Sequence, residues 1–227
     1  MKTSLSKDDG HFYIADFASG EYDRVPSYFV REFPQLLKED VNPSKKICVY
    51  CTDLHALRLD SLLGKLEEEK ILDSVRVVQA TLEKMDEEAT LRTAMIEFLD
   101  SNPESVSWLD DFLIGEHRFP PDCFDIGILN NDIIGYMHEY YKDYSDARIG
   151  LQKVRKLIRD KGLLVVTMPC SLYVVDNVAL LEEVGFKYLQ GVDVNLSTGE
   201  KTFLEKNVLL DQLSNLGHYT FLIFSRT

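Results

Sequence analysis

The chain has 227 residues and a formal net charge of −13, with 25 basic against 38 acidic side chains. Hydrophobic residues make up 45% and charged residues 28%, the proportions of a globular chain long enough for one large core or two small ones. No apolar run approaches the roughly 18 residues of a membrane span, the first ten residues lack the apolar centre of a signal peptide, and the acidity argues against a general nucleic-acid binder. A cytoplasmic location without membrane contact is the expectation.

In chain order, F-Y-I-A-D-F at 12–17 predicts a buried strand, broken by the small residues Ala18, Ser19 and Gly20. A helix follows over about 24–39, with Pro26 tolerated in its first turn and Pro34 expected to kink or split it. N-P-S at 42–44 is a turn, and K-K-I-C-V-Y-C-T-D-L is a second buried strand ending at Asp53. Cys48 and Cys51 form a C-x-x-C, but strand alternation puts their sulfurs on opposite faces, so both are expected in the core. No other Cys/His cluster completes a zinc set, and no metal site is expected. The next helix carries Leu57, Leu59, Leu62, Leu63 and Leu66 on its apolar side.

The segment around Val75, Val77 and Val78 reads equally as a strand or as a continued helix. A helix is predicted over 86–100, then a short strand, V-S-W-L-D-D-F at 106–112, with two acids at its end. F-P-P-D leads into the buried strand C-F-D-I-G-I-L-N-N-D. A helix over 144–160 carries the chain's one basic cluster, whose apolar positions recur at helical spacing and mark it as a solvated face. An apolar strand, a short helix at 176–184 ending at Gly185, and two final strands complete the chain; a short helix near 205–214 is expected between those two.

Strands that alternate with helices and are apolar almost throughout predict a doubly wound, mostly parallel sheet covered by helices on both faces. Seven strands are expected, with an antiparallel C-terminal edge pair. The chain reads as a single domain over 1–227, with an insertion at about 74–105.

In such sheets ligands bind outside the carboxyl ends of the strands. Four of these ends carry small or polar residues: D-F-A-S-G at 16–20, T-D-L at 52–54, D-D-F at 110–112 and N-N-D at 130–132. This series resembles that of the class I S-adenosylmethionine-dependent methyltransferases, over about 12–227. D-F-A-S-G is similar to the family's D-x-G-x-G, with Ala18 in place of the first glycine. F-P-P-D-C-F-D followed by an apolar run resembles its lead into the fourth strand. The resemblance implies S-adenosylmethionine as cofactor, with Asp16, Ala18, Ser19 and Gly20 at its amino-acid end, where Asn130 also sits. Asp53 and Leu54 would then meet the ribose, and Asp110, Asp111 and Phe112 the adenine. With the third strand at 75–82 instead, Gln79 to Leu82 would stand at the adenine. The acid-bearing strand at 106–111 is preferred.

The chemistry suits these residue types: one carboxylate accepts hydrogen bonds from both hydroxyls of a ribose diol. Taken singly, Asp53 also reads as a helix cap, Asp110 and Asp111 as solvated acids, and Asn130 as a turn residue. His138 follows the fourth strand, where a general base could stand, though a lone histidine among Tyr136, Tyr140 and Tyr141 also reads as structural. The expected activity is methyl transfer to a small-molecule or protein acceptor, and a homodimer is compatible with it. A methyltransferase-like binding or partner subunit without catalysis is the alternative. A nicotinamide oxidoreductase is disfavoured because G-x-G-x-x-G is absent.

Overall fold

The computed structural model describes residues 11–40, 46–103, 113, 117–141, 145–169, 174–205 and 217–227. Within them the strands are β1 (His11–Phe17), β2 (Lys46–Asp53), β3 (Val75–Gln79), β4 (Thr90–Leu91), β5 (Phe124–Leu129), β6 (Ile158–Met168), β7 (Phe186–Asn195), β8 (Lys201–Leu204) and β9 (His218–Arg226). The helices are α1 (Arg24–Arg31), α2 (Phe33–Asp40), α3 (Ala56–Glu68), α4 (Thr93–Ser101), α5 (Ile133–Tyr141), α6 (Ser145–Leu157) and α7 (Val174–Glu183). All nine strands form one sheet in the order β4-β3-β2-β1-β5-β6-β9-β7-β8.

The five strands β3-β2-β1-β5-β6 run parallel, with Asp16 opposite Cys51 on one side and Ile128 on the other. The last strand, β9, runs antiparallel to both β6 and β7, and β8 extends that side as a hairpin partner of β7. The expected doubly wound sheet is therefore present, its seven long strands flanked by the short β4 and β8. Because β1 lies between β2 and β5, the chain reverses its winding direction there, and the carboxyl ends of β1 and β5 flank the topological switch point.

β1 and β2 are buried almost throughout, as strands covered on both faces must be. Tyr13 and Tyr50 are fully buried, and Tyr50, Phe119 and Phe124 form an edge-to-face cluster with centroids 5.3–5.6 Å apart. Gly127 lets Phe17 and Ile158 pack closely over β5: a Cβ there would stand 2.8 Å from each. Cys48 and Cys51 are buried and form no disulfide.

α1 and α2 are separated at Glu32, and Pro34 falls in the first turn of α2, where its missing N–H costs nothing. α3 buries Leu59, Leu62, Leu63 and Leu66, each contributing about 1.5–3 kcal/mol of transfer free energy. Leu57, expected on the same side, is exposed.

Three expectations are corrected. The third strand of the sheet is Val75–Gln79, paired in parallel with β2, and not the 106–111 segment, which lies outside the described residues along with Asp110, Asp111 and Phe112. The stretch 74–105 thus supplies β3 and β4 to the sheet itself and is not an addition to it. The helix predicted over 86–100 begins only at Thr93. Its expected first turn is pulled elsewhere: the Asp86 carboxylate pairs with Lys153 (2.7 Å) and Lys156 (2.6 Å) of α6, and Leu91 pairs with Val78 of β3. Short-range helix propensity yields there to ion pairs and to the edge of the sheet. The helix expected near 205–214 falls mostly among residues that are not described.

Most of the basic cluster of 148–161 is paired within the fold. Besides the two lysines on Asp86, Arg148 pairs with Glu183 at 2.9 Å and Arg159 with Asp125 at 2.9 Å.

Candidate cofactor-binding site

The turn after β1 is built on left-handed backbone. Ala18 has φ +56° and Gly20 φ +62°. Glycine takes such angles freely, whereas alanine pays for its Cβ, so Ala18 holds the conformation that the family motif gives to glycine. The turn is latched to the end of β2: Ser19 N–H donates to the Thr52 carbonyl at 2.8 Å, and Gly20 N–H donates to Asp53 Oδ2 at 3.0 Å. Asp53 Oδ1 accepts the N–H of His55, the N-cap residue of α3, at 2.7 Å. The buried Asp53 carboxylate therefore ties two strand ends together. Each of its oxygens spends one lone pair on a backbone N–H and retains capacity for a ligand hydroxyl.

Asp16 lies beneath this turn, almost wholly buried, and its Oδ1 has no hydrogen-bond partner among the described residues. Burial, and then the charge of Asp53, push its carboxyl up to about 8. Asp16 is therefore largely protonated at neutral pH, a buried neutral acid at the foot of the turn.

Above these residues opens a cleft lined by Ala18, Asp53 and Leu54 on one side and by Leu82, Ile133 and Met137 on the other. Thr81 and Glu83, which follow β3, supply further polar groups, and Tyr136 of α5 closes one side. Sequence reading reached Thr81 only through the less favoured third strand, with Gln79 to Leu82 at the adenine, and did not single out Glu83, because it preferred the adenine-facing strand at 106–111. The signal that could have found them is the V-x-V-V pattern of β3, whose end carries these residues. Gln79 is unavailable: it donates to the Leu54 carbonyl at 3.2 Å and accepts from Arg92 at 2.7 Å.

Asn130 stands across the turn from this cleft. Its Oδ1 accepts from Thr167 Oγ1 at 2.5 Å, and Tyr219 Oη lies 3.1 Å away. His138 lies on α5, but its side chain is outside the described set.

No family model matches the chain, and no curated protein matches it. Solved structures do. A TehB-like SAM-dependent methyltransferase from Corynebacterium glutamicum covers 95% of this chain and 80% of its own, at 13% identity and a TM-score of 0.51. A SAM-dependent methyltransferase from Aquifex aeolicus covers 95% and 82%, at 10% identity and a TM-score of 0.54. The fold is that of the class I S-adenosylmethionine-dependent methyltransferases. That fold is not confined to methyl transfer: the [4+2]-cyclase SpnF aligns over 96% of this chain and 76% of its own, at 10% identity and a TM-score of 0.55.

The cleft's donor set suits the adenosine half of S-adenosylmethionine. It combines a carboxylate with free lone pairs, apolar walls for a flat ring, and polar groups beyond β3 for an amino group. At the amino-acid end, the turn has the required backbone and one extra methyl group, that of Ala18.

Proposed function

We propose that the chain is an S-adenosylmethionine-dependent methyltransferase that binds its cofactor in the cleft at the ends of β1, β2 and β3 and acts in the cytoplasm on a small-molecule acceptor. The observation that carries this reading is the latch of the β1 turn onto Asp53 at the mouth of that cleft. Asp53 would hold the ribose hydroxyls, Leu54, Leu82 and Met137 the adenine faces, and Thr81 or Glu83 the adenine edge. Ala18, Ser19 and Gly20 would face the amino-acid end, which Asp16 supports from below. Bound S-adenosylmethionine supplies a sulfonium methyl group as the electrophile, and the protein's own contribution is chiefly to align the acceptor with it.

Calorimetric titration with S-adenosylmethionine and S-adenosylhomocysteine tests the reading. Saturable binding is expected, weakened at least tenfold by Asp53→Ala and unchanged by Asp176→Ala on the exposed face of α7. Absence of binding at millimolar concentration overturns it. A second reading, a binding or partner subunit without catalysis, draws on Ala18, whose methyl group narrows the amino-acid end. Binding of both ligands without turnover of any acceptor class would favour it.

A further inference from the structure

On the far side of the β1–α1 turn lies a second, roomier hollow. Its empty space, open solvent included, is about 1570 Å³, against about 660 Å³ for the cofactor cleft on the same measure. Tyr28 and Phe29 of α1 form one wall, their rings 5.3 Å apart. Tyr219 and Phe221 of β9 form the other, 5.1 Å apart. Ile128 of β5 and Val165 of β6 make the floor. Tyr28 and Phe221 are 40% and 38% exposed, so one ring of each aromatic pair faces the open groove, while Phe29 also packs against the core. Such rings favour another flat ring, stacked or edge-on, over an alkyl chain of equal area.

One end of the groove is polar. The side-chain oxygens of Asn130 and Asn131 are occupied by hydroxyl donors, Thr167 on Asn130 at 2.5 Å and Tyr219 on Asn131 at 2.6 Å. Their Nδ2 groups have no acceptor among the described residues and can donate to a ligand oxygen. Arg24 also lines the groove. It is exposed and has neither an ion pair nor a hydrogen bond among the described residues. An unpaired guanidinium beside aromatic walls is suited to a carboxylate on an aromatic ligand. The groove and the cofactor cleft share a partition: Ala18 at one end of the turn lines the cleft, and Tyr22 at the other lines the groove.

We propose that this groove is the acceptor site, and that the acceptor is a small planar aromatic acid bearing a hydroxyl group. The hydroxyl lies at the Asn130–Asn131 end and the acid group lies toward Arg24. This rests on the methyltransferase reading above. In the transfer, a lone pair of the acceptor oxygen forms the new O–CH3 bond. The S–CH3 bond breaks with its electron pair left on sulfur, and the hydroxyl proton passes to solvent at the open mouth.

The test uses the full chain without cofactor and reads binding, not turnover. 6-Hydroxy-2-naphthoate titrated in a calorimeter is expected to bind saturably. Phe221→Ala and Tyr28→Ala should each weaken it about tenfold, and both positions are exposed enough to keep the fold. Arg24→Gln should weaken this probe about tenfold and leave 2-naphthol unaffected. Absence of saturable binding at millimolar concentration, decanoate binding as tightly as the probe, or indifference to both aromatic substitutions overturns the proposal. Binding of the probe by a protein that does not bind S-adenosylmethionine overturns the acceptor role and the methyltransferase reading together. Cofactor binding without probe binding overturns only the groove.

Discussion

At the scale of single residues, Asp16, Ala18 and Asp53 decide how the site behaves. The Asp16 carboxyl, pushed up to about 8 from an ordinary 3.8, holds a proton in the folded state that the unfolded chain has already lost. Its contribution to stability therefore falls as pH rises from about 4 to about 8 and levels off above that. Asp16→Asn keeps the neutral shape and removes the titration. Its thermal midpoint, measured from pH 5 to 9, is expected to vary less steeply than the parent's and to exceed it at pH 9. An unchanged slope would mean that another group carries the titration. Ala18→Gly relieves a left-handed conformation that costs a residue with a Cβ about 1 kcal/mol. It also removes the methyl group that lines the cleft. The expected result is tighter S-adenosylmethionine binding by calorimetry, with stability equal or slightly higher. The sequence marked all three residues because strand ends in a parallel sheet show themselves as small or charged residues after apolar runs. It could not show that Asp53 bonds to the β1 turn itself, because residues 33 positions apart have no local signature.

At the scale of elements, burial set the pattern that was legible and competition between partners set the part that was not. β1, β2, β5 and β6 are read from apolar runs. β3 is equally apolar, yet its short V-R-V-V-Q fits either periodicity, and only its pairing with β2 identifies it. The segment after it has acids and apolar residues at helical spacing, but Asp86 is drawn to two lysines about 70 positions later. Asp86→Ala is expected to leave Lys153 and Lys156 without that shared carboxylate, destabilising the fold by about 1–3 kcal/mol in denaturant titration. Gly127→Ala should cost a similar amount, about 1–3 kcal/mol, because its Cβ would overlap Ile158 and Phe17 in a packed layer. Retention of full stability by Gly127→Ala would show that these two side chains can withdraw.

At the scale of the whole molecule, β9 couples the two halves of the sheet. It is hydrogen-bonded to β6 on one side and β7 on the other, so removing residues 218–227 breaks two ladders and takes Leu222 and Phe224, both fully buried, out of the core. The truncated chain is expected to lose cooperative thermal unfolding, as followed by circular dichroism. A sharp transition would show that β1 to β6 with their helices form a self-sufficient unit. The same strand brings Tyr219 to Asn130, so the end of the chain reaches the switch point at its middle.

The sequence by itself determined the fold class, most of the strands and helices outside 74–112, and the acid at the end of β2, because each rests on burial or on local conformational preference. Tertiary structure decided which strand stands third, which residues beyond it enter the cofactor cleft, and that an aromatic groove lies across the turn from that cleft. These depend on segments far apart in sequence meeting at one edge of a sheet, and hydropathy along the chain does not encode which edges meet.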